Sequence, residues 1–236
     1  MPGAAPTRTV FVTGGTGYIG RPLVEALGAR GHAVRALVRP GSEHRLPANA
    51  VSVVGDALRS ATYARHVAPA DTLVQLVGTP HPSPRKAAEF RRVDLASGVA
   101  AVEAALAAGV RHLVYVSVAR PAPVMHAYLA ARAAVEARIE AACEASGLAA
   151  TVLRPWYVLG PGHRWPYLLV PLYALGRRVP STRAGAERLG LVTRSAMLRA
   201  LVAAVEDPPD GVRTLDVPAI RTGAPSAALA PVAATR

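Results

Sequence analysis

The apolar residues of the chain form two kinds of pattern that alternate along it. Short runs rich in valine and leucine, typical of buried strands, occupy residues 10–13, 33–38, 51–54, 72–77, 111–117 and 150–153. The segments between them mostly repeat their apolar residues at helical spacing, and the two longest, 86–108 and 125–146, stop at Gly109 and Gly147. Strands alternating with helices predict an α/β fold, a Rossmann-type doubly wound parallel sheet with helices on both faces.

The pattern changes after Leu153, where proline, glycine and aromatic residues become frequent. We therefore expect a small C-terminal lobe to follow the sheet domain. The predicted boundaries are a sheet domain over 1–155, a lobe over 156–221 and a disordered tail over 222–236, where no periodicity remains. Within the lobe, the spacing predicts helices over 167–175 and 194–205 and a short strand over 213–217.

Composition narrows the class of protein. A chain of 236 residues with 51% hydrophobic content suits one α/β domain with a small appendage. The only cysteine, Cys143, excludes an intrachain disulfide, and no histidine or carboxylate spacing indicates a metal site. We expect a cytoplasmic protein, because no signal-peptide pattern and no run of about 18 apolar residues is present.

The net charge of +12 raises the question of nucleic acid as a partner. The basic residues are scattered rather than clustered, which argues against nucleic-acid binding. Lys86 is the only lysine among 27 basic residues, so the excess of arginine is interpreted as a compositional bias. A positive charge also favours a small anionic ligand.

Glycines spaced three apart follow the first predicted strand. Residues 9–20 read TVFVTGGTGYIG, and the apolar residues that come next have helical spacing. At a strand-to-helix junction, such glycines allow a sharp turn and let a pyrophosphate approach the first helical turn. This segment therefore predicts a dinucleotide-binding loop. Its candidate cofactor-binding residues are Thr13, Gly14, Gly15, Thr16, Gly17, Tyr18, Ile19 and Gly20.

Three later strand ends extend this prediction. The second strand ends at Arg39 without a carboxylate, which favours NADP(H) over NAD(H), although a solvated surface arginine is the alternative. Asp56 follows the third strand, either at the adenine edge or as a helix N-cap. Gly78 and Thr79 follow the fourth strand, where a glycine lets the chain pass close to the cofactor's inner ribose.

A possible catalytic group lies at the end of the fifth strand and on the following helix. Ser117 ends the strand, and Tyr128 and Arg132 are four residues apart, so they share a helical face. This order resembles the serine, tyrosine and lysine group of reductases, which implies Tyr128 as acid/base, Ser117 as the group that orients the substrate oxygen, and Arg132 in the position of lysine.

The order of these features is similar to the short-chain dehydrogenase/reductase superfamily, and most of all to its atypical branch of epimerase/dehydratase-like and NmrA-like proteins. The matching motifs are the Thr13 to Gly20 loop, Val93-Asp94, and Leu153-Arg154-Pro155 with Gly160-Pro161. The resemblance implies an NAD(P)(H)-binding oxidoreductase or epimerase-like enzyme with an unknown small-molecule substrate. It also implies a cofactor contact at Pro155 and a homodimer formed through helices 86–108 and 125–146.

The chain departs from that family pattern at Arg132. Arginine supplies a fixed positive charge but releases no proton at neutral pH, which excludes a proton relay through this position. Three structural alternatives accompany the catalytic hypothesis: Tyr128 as a half-buried helix residue, Arg132 paired with Glu136, and Ser117 as a strand cap. The second functional hypothesis is a non-catalytic NADP(H)-binding sensor or assembly protein.

Both tryptophans of the chain fall in one short stretch. Trp156, Tyr157, His163, Arg164 and Trp165 follow the sixth strand, at the carboxyl edge where the nicotinamide end of a cofactor would lie. We interpret them as the wall of a substrate pocket. The alternative is a hydrophobic plug that anchors the lobe.

Overall fold

The computed structural model describes residues 6–161, 185 and 188–223. Its strands are β1 (Thr9–Thr13), β2 (Ala33–Val38), β3 (Ala50–Val54), β4 (Thr72–Gln75), β5 (His112–Val116), β6 (Ala149–Leu153), β7 (Tyr157–Leu159), β8 (Leu191–Thr193) and β9 (Val212–Leu215). Its α-helices are α1 (Gly20–Ala29), α2 (Ala87–Glu89), α3 (Ala96–Ala107), α4 (His126–Ser146), α5 (Arg194–Glu206) and α6 (Val217–Thr222). A π-helical segment, Phe90–Leu95, joins α2 to α3, and 3₁₀ turns lie at Glu43–Arg45, Ser60–Thr62, Ala64–His66 and Pro84–Lys86.

Seven strands form one parallel sheet in the order β3-β2-β1-β4-β5-β6-β9. The order reverses between β1 and β4, and ligands of such sheets bind outside the carboxyl ends of the strands at this point. β7 and β8 form a separate parallel pair. The predicted Rossmann-type, doubly wound parallel sheet is confirmed.

The central strand β1 shows why these residues form a sheet that is covered on both faces. Val10, Phe11 and Val12 are completely buried, although they point alternately to opposite faces. Val10 and Val12 pack in one core with α1 and α5, while Phe11 packs in a second core with α3 and α4. A continuous apolar run is therefore required here rather than an alternating one.

Two predicted elements differ from the observed ones. The predicted helix over 86–108 is interrupted by the π-helical segment Phe90–Leu95. The predicted strand over 213–217 ends early, because the Asp216 side chain accepts a hydrogen bond of 2.9 Å from the backbone of Ala219 and starts helix α6. Pro218 in the first turn suits that helix start, since its missing N–H is not needed there.

The described part of the predicted C-terminal lobe shares the core of the sheet. β9 pairs with β6 at the sheet edge, and Met197 and Leu201 of α5 are buried in the same cluster as Val10. The predicted helix over 167–175 and the tail beyond residue 223 lie outside the described residues, so the division at residue 155 stays a prediction. Among the described helices, none combines the length and the apolar character that crossing a membrane requires.

Candidate functional site

The glycine loop between β1 and α1 is closed on itself. Gly14 has a left-handed φ of 77°, and the Gly17 amide donates a 3.0 Å hydrogen bond to its carbonyl oxygen. A Cβ on Gly20 would lie 2.0 Å from that same oxygen. Since backbone atoms cannot move aside like the end of a side chain, glycine is required at the first turn of α1. The loop thus has the close backbone approach expected for a dinucleotide site.

A cleft of about 580 Å³ opens beside this loop, at the carboxyl ends of β1 to β4. Gly14, Thr16 and Gly17 line one side, and Arg39 and Asp56 line the other, as the sequence predicts for an adenosine site. Arg39 is exposed and makes no ion pair among the described residues. The Asp56 carboxylate accepts a 2.9 Å hydrogen bond from the backbone of Leu58, so it also stabilises its own turn.

A second cleft of about 440 Å³ adjoins the first, and Leu76 and Gly78 line both. The predicted site residues that line this second cleft are Tyr18, Ile19, Gly78, Thr79, Ser117, Tyr128, Arg132, Pro155, Trp156 and Tyr157. The two clefts thus lie side by side at Leu76 and Gly78, one toward the glycine loop and the other toward the predicted catalytic group.

Three other residues of the glycine loop pack inside the fold and line neither cleft. The hydroxyl group of Thr13 is buried against Gln75, and Gly15 lies so close to Ala36 that their Cβ atoms would be 2.8 Å apart. Gly20 packs on Gly14, as described above. The predicted substrate residues His163, Arg164 and Trp165 lie outside the described part of the chain.

Arg132 is held by a buried ion pair with Asp94. Its Nη2 atom lies 2.6 Å from Asp94 Oδ1, and its Nη1 atom donates a 2.8 Å hydrogen bond to the carbonyl oxygen of Val116. Asp94 lies in the π-helical segment, is completely buried, and accepts the Thr79 amide at 3.2 Å. Burial opposes the charge, but Tyr128, Tyr115 and Asp94 raise the pKa of Arg132 above its ordinary value, so the guanidinium stays charged.

Gly78 makes room for this arginine. A Cβ on Gly78 would lie 2.2 Å from Arg132 Nη2 and 2.9 Å from Asp94 Oδ1. The sequence assigns Gly78 to a close approach of the cofactor, and the structure adds a second reason for glycine, the space for the Arg132 side chain. Gly78, Asp94 and Arg132 therefore depend on one another.

Ser117 belongs to a different charged cluster, centred on Glu136. The Ser117 hydroxyl donates to Glu136 Oε1, and Arg154 Nε donates to the same oxygen at 3.2 Å. Arg120 and the Nη2 atom of Arg154 bind Oε2. The alternative pairing of Arg132 with Glu136 four residues later is wrong, because Arg132 reaches across to Asp94 while Glu136 turns toward the end of β6.

Tyr128 and Tyr115 both lie beside Arg132, and their environments differ. The Arg132 guanidinium carbon is 5.2 Å from the Tyr128 ring centre and 5.7 Å from that of Tyr115. Tyr115 is 1% exposed, and burial raises its pKa to about 12 despite the lowering effect of Arg132. Tyr128 is half-buried, packs on Phe90 with ring centres 5.0 Å apart, and lines the second cleft. Of the two phenols beside Arg132, Tyr128 is thus the one that lines this cleft.

Sequence reasoning missed the partners of the predicted catalytic group. Asp94 was predicted only as part of the Val93-Asp94 motif, although it forms the ion pair with Arg132. Glu136 was expected only as an alternative partner of Arg132, and no contact was expected for Arg120 or Arg154. In the sequence, one signal marks Glu136. It is a carboxylate four residues after Arg132, on a helix face whose other residues are mostly apolar. The pairing of Asp94 with Arg132, and of Arg120 and Arg154 with Glu136, has no such signal in the sequence.

The comparison with protein families agrees with this geometry. A family described as NAD(P)H-binding matches residues 14–167. The chain belongs to this family, within the atypical short-chain dehydrogenase/reductase type, and its cofactor is a nicotinamide dinucleotide. It is thus a member of an NAD(P)-binding reductase- or epimerase-like family.

The chain is also similar to individual proteins. It is 34% identical over 225 residues to a 3-diazoavenalumate denitrifying reductase from a Streptomyces species, covering 86% of this chain and 73% of that protein. It is 33% identical over 155 residues to a ceramide reductase from Caulobacter vibrioides, covering 65% of this chain and 47% of that protein. The UDP-glucose 4-epimerase of Thermotoga maritima has the same fold, with a TM-score of 0.66, 19% identity and coverage of 88% of this chain and 76% of that one.

Proposed function

We propose that the protein is an NADP(H)-dependent oxidoreductase or epimerase-like enzyme that interconverts an alcohol and a carbonyl group of a small molecule. The observation that carries this proposal is the junction of the two clefts at Leu76 and Gly78. A ligand that begins at the glycine loop and passes this junction ends beside Tyr128 and Ser117. The substrate itself is unknown, and cytoplasmic location and homodimer formation stay predictions.

The residues of the first cleft fit a phosphorylated dinucleotide. Gly14, Thr16 and Gly17 line this cleft close to the start of α1, where a helix N-terminus favours an anion such as a pyrophosphate. Arg39 matches the planar, bidentate donor that a 2′-phosphate requires, and the described residues offer no acidic partner that would occupy it. NADP(H) is therefore favoured over NAD(H).

A substitution at Arg39 tests this preference. Arg39→Ala removes one charge-assisted contact to the 2′-phosphate, so we expect NADPH to bind about 10- to 100-fold more weakly, with little change for NADH. The matched control is Arg59→Ala, a nearby exposed arginine that does not line the cleft. Fluorescence titration with both cofactors gives the comparison, and equal losses for NADPH and NADH would contradict the preference.

In the second cleft, the role of each side chain follows from the protons and charges that it has available. When bound, the cofactor supplies or accepts a hydride at its nicotinamide ring. Tyr128 donates or accepts the proton at the substrate oxygen, and Ser117 orients that oxygen. Arg132 keeps its positive charge near the Tyr128 ring but moves no proton. Trp156 and Tyr157, with ring centres 5.5 Å apart, form a wall against which a substrate packs.

Turnover of a carbonyl substrate tests the catalytic part. A screen for NADPH oxidation with aldehydes, ketones and quinones identifies a working substrate, and Tyr128→Phe is then measured on it. Loss of the acid/base group is expected to lower kcat by about 100-fold or more while leaving NADPH binding intact. Unchanged turnover in Tyr128→Phe would remove Tyr128 from the mechanism.

A second function, a cofactor-binding sensor or assembly protein, is favoured by one observation. Arg132 uses its two Nη atoms on Asp94 and Val116, so it is less available to a cofactor ribose than the lysine of the family pattern would be. Tight NADPH binding without turnover of any compound in the same screen would support this function.

A further inference from the structure

The hydroxyl group of Ser117 has a single proton, and that proton is already used. Ser117 is 3% exposed, lies at the end of β5, and donates to Oε1 of Glu136. Glu136 is 1% exposed. An ionised carboxylate accepts hydrogen bonds and donates none, so the direction of this bond is fixed.

Two arginines form ion pairs with Glu136 and hold its carboxylate in place. Arg154 binds both of its carboxylate oxygens, and Arg120 binds Oε2. With Ser117, the carboxylate receives four hydrogen bonds on two oxygens, two of them from a bidentate arginine. A carboxylate paired with two arginines offers acceptor lone pairs, so the hydrogen bond with Ser117 takes its proton from the serine hydroxyl.

This arrangement makes the Ser117 hydroxyl a hydrogen-bond acceptor toward the second cleft. A hydroxyl group whose proton is committed still has lone pairs, so the oxygen can accept another hydrogen bond but cannot donate one. A carbonyl oxygen placed against it would bring two sets of lone pairs together. A hydroxyl or N–H group placed there would form a hydrogen bond.

We propose that Glu136 is a positioning residue that fixes Ser117 as a hydrogen-bond acceptor, so that the ligand group Ser117 contacts is an O–H or N–H donor. This inference rests on the proposed use of Ser117 at a substrate oxygen. It specifies that Ser117 accepts the O–H of the bound alcohol, which must turn toward Tyr128 before the proton is transferred, while the carbonyl form depends on Tyr128 for its hydrogen bond.

The walls of the cleft indicate which probes to use. Tyr18, Trp156 and Tyr157 line it, and the Arg132 charge is compensated by Asp94. Small uncharged aromatic molecules therefore suit the site. Phenol and anisole share one ring, but only phenol carries an O–H donor, and NADP⁺ can oxidise neither of them as an alcohol.

Equilibrium binding of the two probes tests, without turnover, whether Ser117 accepts a hydrogen bond from the ligand. With saturating NADP⁺, ligand-observed NMR is expected to show phenol binding about 3- to 10-fold more tightly than anisole, as one hydrogen bond provides. Ser117→Ala, which leaves Glu136 and both arginines unchanged, is expected to abolish this ratio. Tyr128→Phe is expected to keep it, because the acceptor is then still present.

Glu136→Gln separates positioning from a purely structural role. The glutamine amide can donate to Ser117, which frees the serine proton for the cleft, so the phenol preference is expected to fall or reverse. A merely structural role would weaken both probes equally and leave the ratio unchanged. If Glu136→Gln does not fold, Ser117→Ala alone decides.

The outcomes separate the inference from the proposed function. Equal binding of the two probes, a preference that survives in Ser117→Ala, or no binding of either probe would overturn the inference. If NADP⁺ itself does not bind, the proposed function fails, and the same probe ratio measured on the cofactor-free protein still decides whether Ser117 accepts a hydrogen bond from the ligand.

Discussion

The two halves of the cleft are built in different ways. The half beside the glycine loop depends on missing side chains, since Gly14, Gly17 and Gly20 leave space that backbone atoms fill. The half beside Tyr128 depends on buried charges, the Asp94–Arg132 pair and the cluster around Glu136. The first half is local in sequence, whereas the second joins residues from the segments that follow β4, β5 and β6, from the π-helical segment and from α4.

This difference shows how the two halves tolerate change. A site made of close backbone contacts fails when an added atom would overlap the backbone, as a Cβ on Gly20 would. A site made of paired buried charges fails when one partner is removed, and replacement of both partners by apolar residues is often neutral. The first two substitutions below test one half of the cleft each, and the last two test the fold outside the cleft, with the smallest expected effect last.

Gly20→Ala is expected to have the largest effect on the glycine half. The added Cβ would lie 2.0 Å from the backbone oxygen of Gly14, so the loop must move. NADPH affinity is expected to fall by about 100-fold or more, equivalent to about 3 kcal/mol. The control is Gly28→Ala on the same helix, whose Cβ would lie 2.0 Å from Nδ2 and 2.7 Å from Cγ of Asn49, so a side chain rather than the backbone has to move. Normal NADPH binding by Gly20→Ala would show that the loop is not a close backbone site.

Asp94→Asn is expected to weaken the charged half most. The substitution leaves the Arg132 charge buried without its partner, at a cost of about 3 to 5 kcal/mol in the free energy of unfolding. Urea unfolding gives this value. The double variant Asp94→Leu with Arg132→Met removes both charges and is expected to recover most of the loss. A double variant as unstable as Asp94→Asn would mean that packing, rather than charge, dominates here.

His112 lies away from both halves, in the sheet between Thr72 and Thr151. Burial lowers its pKa from 6.5 to about 4, so between these pH values the unfolded chain binds a proton that the folded protein does not. Stability is therefore expected to fall by about 3 kcal/mol as the pH decreases from 6.5 to 4. In His112→Gln, urea unfolding over this pH range is expected to lose that slope. The exposed His44→Gln serves as the control and is expected to keep it.

Thr193→Ala is expected to have the smallest effect. The Thr193 side chain accepts a 3.1 Å hydrogen bond from the backbone of Ala196 and caps α5. Its loss is expected to cost about 1 kcal/mol, and Thr193→Ser to cost much less. NADPH affinity is expected to stay unchanged in both variants. A loss of affinity in Thr193→Ala would show that α5 is coupled to the cleft.

The fold was predictable because its signals are short-range. The strand β2 was predicted with its observed bounds, and β1 within one residue, since an apolar run and a glycine turn are both visible in a short window. The glycine loop was predictable for the same reason. The interrupted helix before α3 was not, because a π-helical segment leaves no clear change in apolar spacing.

The contacts of the charged half could not be predicted from the sequence, for a physical reason. Arg132 could pair along its own helix with Glu136 or across the fold with Asp94, and local spacing favours the first. Burial decides for the second, because Asp94 is completely enclosed and needs a cation. Only the packed fold reveals that need.

The position of β9 has a consequence for synthesis of the chain on the ribosome. β9 is the last strand of the described residues to be made, yet it forms the edge of the sheet beside β6, and α5, made just before it, covers the same core as β1. Until this segment has left the ribosome, part of the core that involves α1 and β1 stays uncovered. We therefore expect nascent chains that end before α5 to expose apolar surface and to be bound by chaperones, even though their glycine loop is already complete.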